Sequence, residues 1–448
     1  MAPAPSDIDT SSGSFFTGFT QRSQLLSDMG GVRTMLSGYG ISLGLSETSE
    51  VLGNATGGIH QGADYDGLTT MSLGLDTQRA FGWEGGIFNI SALQIHGRNL
   101  GSDNLGTLLP PSGINADRTT RLWELWYQQS FLDGQVDVKL GQQSLDQEFI
   151  VSTNALLFVN TAFGWPLVPS VDMPGGGPAY PLSSLGVRVR AQISPQFTAL
   201  LGLFNGSPTA RFNTEDSQIR NGSGTSFPLN GGALVIGELQ FAFPGNGSMV
   251  APGGSGPLPG SYKIGFWWDS EPFADQNLDN TGVSLASLVS NGTPLQRNGD
   301  YSIYAVMDQS ILQIGDDSGR LLNVFARVMG APDDRNLINF GANLGLVLHE
   351  PIVGRGQDTA GIAMGYGRVG KSASDFDKEA QRVTGSGFRR TAETFIELTY
   401  QAQVTNWMQL QPDFQYVWNP GAGVANPNDP TQKLKNEAIF GLRTNITF

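Results

Sequence analysis

No cysteine occurs among the 448 residues, which excludes a disulfide framework and thiolate metal sites. Only three histidines are present, His60, His96 and His349, and none stands beside a carboxylate at metal-ligand spacing or in a familiar catalytic string. Neither a metal nor another cofactor is expected. Charge is sparse at 15% of residues, and 26 Lys and Arg face 40 Asp and Glu. The net charge of −14 argues against nucleic acid, which needs a basic face. No run of eighteen apolar residues exists, so no transmembrane helix is predicted. The opening "MAPAPSDIDT" has neither a cationic n-region nor an apolar h-region, and Met1 is expected to be an initiator ahead of a mature chain.

What is abundant is glycine, 60 residues, alongside 10% aromatics. Disorder would bring fewer aromatics and more charge, so the glycine points instead to tight turns and small inward positions in β-structure. The mean hydropathy of −0.15 is compatible with a membrane barrel, because half of each strand faces water.

One amphipathic stretch, "RSQLLSDMGGVRTMLSGYG", places Leu25, Met29, Val32 and Leu36 on one face and predicts a helix over 21–38. From residue 40 onward the helical period is gone. Sixteen extended segments follow, the first at 41–51, the ninth at 262–269, the tenth at 301–314 and the last at 437–448. Their connections mostly alternate long and short, with exceptions at 244–261 and the brief "APDDR". An even strand count with short turns at one end and long loops at the other is the pattern of an outer-membrane barrel, whose closure also removes free edges.

The alternation is clearest in three segments. In "GVRVRAQI", Val187, Val189, Ala191 and Ile193 oppose Arg188, Arg190 and Gln192. In "ETFIELTYQAQV", Ile396, Leu398 and Tyr400 oppose Glu393, Glu397 and Gln401. The chain ends on "NEAIFGLRTNITF", where Ala438, Phe440, Leu442, Ile446 and Phe448 share a face. Trp and Tyr near strand ends suit the interfacial girdles of a barrel better than a soluble sandwich. The fold predicted is therefore all-β: a 16-stranded antiparallel transmembrane barrel over 40–448, preceded by a segment 1–39 carrying a short periplasmic helix. "NITF" would be the periplasmic end of the last strand, with Phe448 in the lower girdle.

Two motif matches are set aside. "GYGRVG" (Gly365–Gly370) has the G-x-G-x-x-G form but is read as leading into polar loop, with no helix to receive a pyrophosphate. "GISLG" (Gly40–Gly44) opens a strand after a helix, the reverse of a hydrolase elbow. No catalytic residue is assigned.

Several stretches resemble the OprB family of carbohydrate-selective porins. They are the opening "QRSQLLSDMGGVRTMLSGYGISLGLSETSEVLGNATGG", the central "VDVKLGQQSLDQEFIVSTNALLFVNTAFGWP", "ETFIELTYQAQVTNWMQLQPDFQYVWNPG", and the ending "AIFGLRTNITF". The resemblance implies a sixteen-stranded outer-membrane barrel of a Gram-negative bacterium, passing monosaccharides such as glucose by diffusion and surrounded by outer-membrane lipid. A general or organic-acid-selective diffusion porin, and a plugged barrel with a structural role, stay open as alternatives. Monomer and homotrimer are equally open.

Sugar passage needs weak, plural contacts: charged and amide groups for hydroxyls, an aromatic ring for a pyranose face. The interruption 144–185 is the candidate constriction loop, carrying Asp146, Glu148, Asn154, Asn160, Trp165 and Asp172. Arg188 and Arg190 would oppose it from the wall. Arg98, at the outer end of strand three, and Glu124, on strand four, complete the candidate set. The bland reading is that lumen charges pair with each other and Trp165 packs the loop.

Overall fold

The computed structural model describes residues 22–210, 215–244, 257–315 and 320–448. Residues 1–21 of the N-terminal segment lie outside those described. The first eight strands are β1 Ile41–Thr56, β2 Gly62–Asp76, β3 Gly86–Gly97, β4 Thr119–Phe131, β5 Val136–Gln143, β6 Ser184–Gln192, β7 Phe197–Asn205 and β8 Ala233–Phe243. Next come β9 Gly260–Asp279, β10 Pro294–Gln313, β11 Leu321–Gly330, β12 Ile338–His349, β13 Thr359–Val369, β14 Ala392–Thr405 and β15 Met408–Trp418. A small hairpin, β16 Ala425–Asn426 and β17 Asp429–Lys433, stands apart before β18 Glu437–Thr447.

Sixteen of these strands form one closed antiparallel barrel, in which β18 pairs with both β15 and β1. The terminal alternation is what closes it. Ile439 is fully buried inside, while Phe440 and Leu442 are exposed on the outer face. The outer face of β12–β14 is equally apolar, with Leu344, Leu346, Ile362, Met364 and Leu398 exposed.

Glycine supplies room inside. Gly345 and Gly365 face inward where the rings of Phe325 and Phe395 pass, and any Cβ at either position would overlap the ring. Two expectations need correction. The predicted helix over 21–38 is shorter: a 3-10 turn Met29–Gly31 runs into a helix Val32–Gly38, broken before it by Gly30 and Gly31 at positive φ. Its Arg33 donates to the carbonyls of Leu43 and Phe448, fastening the helix at the barrel seam. Strands nine and ten are also longer, twenty residues each, because a polar hairpin held by Arg297 and Asp275 at 2.6 Å prolongs them beyond the apolar stretch.

The outer face of β1–β3 departs from the apolar pattern. Glu47, Ser49, Tyr65, Thr69 and His96 share the outward side with exposed Val51, and Thr69 Oγ1 donates to Glu47 at 2.5 Å. His96 lies 3.4 Å from the same carboxylate.

Candidate functional site

The connection between β5 and β6, residues 144–183, lies across the barrel interior. Apolar side chains bring it there. Phe149, Ile150, Leu167 and Val168 are buried in one core with Leu200, Leu234, Ile236, Trp267 and Tyr304, which the strands β7–β10 turn inward. Phe158 and Phe163 pack on Phe325, with centroids 5.7 and 6.1 Å away, and Phe163 meets Phe395 edge-on at 5.5 Å.

A loop buried in this way must satisfy its own backbone, and the far wall supplies the partners. Glu238 on β8 accepts from the Ile150 N–H at 2.8 Å. Asp308 on β10 accepts from Ser152 Oγ at 2.7 Å and from the Asn154 backbone at 3.1 Å. Glu397 on β14 accepts from the N–H groups of Val159 and Asn160 at 2.5 and 3.0 Å. Arg327 on β11, 1% exposed, donates to the carbonyls of Ile150, Ala162, Phe163 and Gly164. Wall acids take the loop's donors, and a wall arginine takes its acceptors.

The near wall is different. Strands β4–β6 turn Trp126, Gln128, Asp137, Lys139, Arg188 and Arg190 inward, and the loop places Glu148 among them. Glu148 pairs with Lys139 and with Arg188, whose Nε is 2.5 Å away. Burial works against the Glu148 charge, but Lys139 and Arg188 outweigh it and hold the carboxyl below its usual range. Asp137 is shared by Arg188 and Arg190, the latter at 2.6 Å. Lys139 Nζ stands 4.4 Å from the Trp126 ring centre. Arg190, 35% exposed, is the cation of this group most open to water.

The family model described as "Carbohydrate-selective porin, OprB family" matches residues 60–448. The chain belongs to the OprB family. Porin B of Pseudomonas aeruginosa is 24% identical over 95% of this chain and 91% of its own length. The high-pH structure of OprB from Pseudomonas putida superposes with a TM-score of 0.82 at 24% identity, covering 96% of this chain and all of that one. The low-pH structure of the same protein gives 0.56 at 19% identity. This OprB-family porin is thus a carbohydrate channel of the Gram-negative outer membrane.

Within this porin the residues singled out from sequence fall into three groups. Arg188, Arg190 and Glu148 come together as described. Asp146, Glu124, Asn154, Asn160, Asp172 and Trp165 each hold the loop, Asn160 by donating to Gln415 at 2.9 Å. Asp146 accepts from Ser144 Oγ at 2.6 Å and the Tyr180 N–H at 3.0 Å, clipping the loop's two ends together. Glu124 accepts from the Ser144 N–H at 3.1 Å. Asn154 bonds Asp308, and Asp172 accepts from the Ile338 N–H at 3.2 Å. Trp165 is 7% exposed and donates to the Gly176 carbonyl at 2.9 Å, so its ring belongs to the loop's packing. Arg98 stands apart, exposed just above β3, in an outer recess with Asp103, Asp117 and Arg118.

Sequence reasoning passed over Trp126, Asp137 and Lys139. The signal was there: "VDVKLGQQ" alternates Asp137 and Lys139 against Val136, Val138 and Leu140, just as "GVRVRAQI" does. The far-wall anchors Glu238, Asp308 and Arg327 carried no such signal, since only the loop's path gives them partners. One premise also falls. "GYGRVG" does lead into a helix, Lys371–Thr384, which the polar composition hid. Gly365 and Gly367 nevertheless face Phe395 and Leu167 inside the barrel, where their lack of a side chain is used for packing.

Proposed function

We propose that this porin passes monosaccharides such as glucose by diffusion, through a constriction bounded by the inward loop on one side and by β4–β6 on the other. The observation that carries the reading is Glu148 of the loop joined to Lys139 and Arg188 of the wall, with half-open Arg190 and Trp126 beside them. Two carboxylates shared among three cations leave a nearly balanced, hydrogen-bonding surface, with one positive charge in excess, that suits hydroxyls. Trp126 offers an apolar face to a pyranose. The test is sugar-dependent current noise in single channels. Glucose should reduce the open-channel current in a saturable way, and Arg190→Ala should weaken that block several-fold. Block by organic acids in preference to sugars would contradict the reading.

We infer in addition that the barrel self-associates through the outer face of β1–β3. An ionisable Glu47 beside His96 is unfavourable against lipid chains, whereas a neighbouring protein surface would satisfy both. Glu47→Leu combined with Thr69→Leu should shift the detergent-purified protein toward monomer in sedimentation. An unchanged oligomer, or a wild type that is monomeric throughout, would contradict it.

A further inference from the structure

Outside the barrel, at the long-loop end of β13 and β14, lies a recess of about 470 Å³ that no part of the conduction pathway uses. Asn339, Tyr366, Arg368, Lys371, Arg389 and Thr391 line it. Its position follows from register. Gly365, Gly367 and Val369 turn inward, so Tyr366 and Arg368 turn outward, continuing upward the row that begins with the exposed Ile362 and Met364. The recess therefore sits where the apolar band gives way to the polar zone of the outer leaflet.

Its charge is out of keeping with a chain of net charge −14. Arg368 is exposed; its Nε donates to Asn339 at 3.0 Å and its guanidinium lies 5.6 Å from the Phe340 ring centre. Arg389 is exposed, and its Nε donates to Ser374 Oγ at 2.6 Å. Among the described residues neither guanidinium is ion-paired, so each is fixed through Nε while its two terminal nitrogens stay free. Lys371 is paired with Asp375 at 2.5 Å, a carboxylate that Arg389 also stabilises from further off, and Arg390 with Asp377 at 2.8 Å, which leaves Arg368 and Arg389 without a close ion pair of their own. Two held guanidinium forks facing one recess suit a phosphate, which accepts bidentate donation.

A second feature says what carries the phosphate. Below the recess, on the same outer face, a shallow dish of about 700 Å³ is walled by Leu346, Leu348, Ile362, Leu398, Pro412 and Phe414. Ile362 lies six residues down β13 from Arg368, roughly 20 Å at the strand rise. A soluble anion would use the recess alone. An amphiphile would use both.

We propose that this face binds the phosphorylated saccharide headgroup of an outer-leaflet lipid, with phosphate on Arg368 and Arg389 and acyl chains in the dish of β12–β15. The sugar ring next to the phosphate lies against Tyr366, and Asn339 and Thr391 meet its hydroxyls. The site is outside the lumen and independent of the route by which sugars cross.

The test uses the folded full-length porin in detergent, with lipid A, enzymatically dephosphorylated lipid A and inorganic phosphate as probes, read by native mass spectrometry. Lipid A should bind saturably. Dephosphorylated lipid A and the variant Arg368→Gln/Arg389→Gln should each weaken binding by at least tenfold, and millimolar inorganic phosphate should not compete. Glucose-driven swelling should be unchanged in the variant. Equal binding of dephosphorylated lipid would overturn the phosphate assignment even if the variant failed to fold. Efficient competition by inorganic phosphate would reassign the recess to a free anion, and undiminished binding by the folded variant would remove the site.

Discussion

Glu148 of the inward loop and Arg188 of β6 face each other within the barrel, with Nε and Oε2 2.5 Å apart and Nη2 and Oε1 3.0 Å apart. Arg188 is 3% exposed, so its reach toward passing solute is small and its hold on the loop is large. Substituting Arg188→Ala should loosen the loop more than it alters the barrel. Losing one partner of a buried pair typically costs about 3–5 kcal/mol, because the other charge is left unmatched. Single-channel recordings should show higher, noisier conductance for Arg188→Ala. Glu148→Ala combined with Arg188→Ala should add little to either alone, whereas additive effects would dissociate the two residues.

Arg327 carries the far side. Arg327→Ala leaves four loop carbonyls without their donor, each worth about 1–3 kcal/mol if it stays unsatisfied. The loop should detach locally while the barrel persists. Limited proteolysis should then cut between residues 150 and 164, and sugar discrimination should fall. Protease resistance equal to wild type would show that the apolar contacts suffice.

Gly365 and Phe395 form a packed pair whose substitutions should compensate. Gly365→Ala puts a methyl group into the ring and should destabilise the barrel by about 1–3 kcal/mol. Adding Phe395→Ala should recover part of that loss. Heat-dependent mobility on gels checks both, and a Gly365→Ala protein as stable as wild type would contradict the packing.

Asp172 gives a pH dependence of defined sign. Burial pushes its carboxyl well above the usual carboxylate range, and nearby Asp300 adds to the rise. Its folded-state pKa exceeds the unfolded value, so the group imposes no penalty below about pH 4. The penalty grows as pH rises from the unfolded toward the folded value and is complete above the latter. Asp172→Asn keeps an acceptor for the Ile338 N–H and removes the charge. The variant should match wild type in acid and be the more stable protein at alkaline pH. Urea unfolding at both pH values measures it.

Strand identity was legible because one residue in two had to meet lipid. Segments such as Met408–Trp418 and Glu437–Thr447 carry that alternation in their side chains. Where lipid no longer acts, the signal fades, and so the outer halves of β9 and β10 and the helix Lys371–Thr384 read as loop. The site was half legible for a related reason. Arg188 and Arg190 stand out among Val187, Val189 and Ala191, but Glu238, Asp308 and Arg327 gain their roles from a loop that crosses from the opposite wall. Trp165 reads from sequence equally as a sugar platform or as packing for the loop; its indole closes on Gly176 within the loop.

The central claim is that this OprB-family porin selects monosaccharides at the loop–wall junction. Liposome swelling with purified, folded protein tests it most directly, comparing glucose, other monosaccharides, a disaccharide and amino acids of matched size. Faster swelling with monosaccharides, lost in Glu148→Ala/Arg188→Ala, is the result predicted. Equal rates for all small solutes in the wild type, or no swelling from liposomes shown to hold folded barrels, would contradict it.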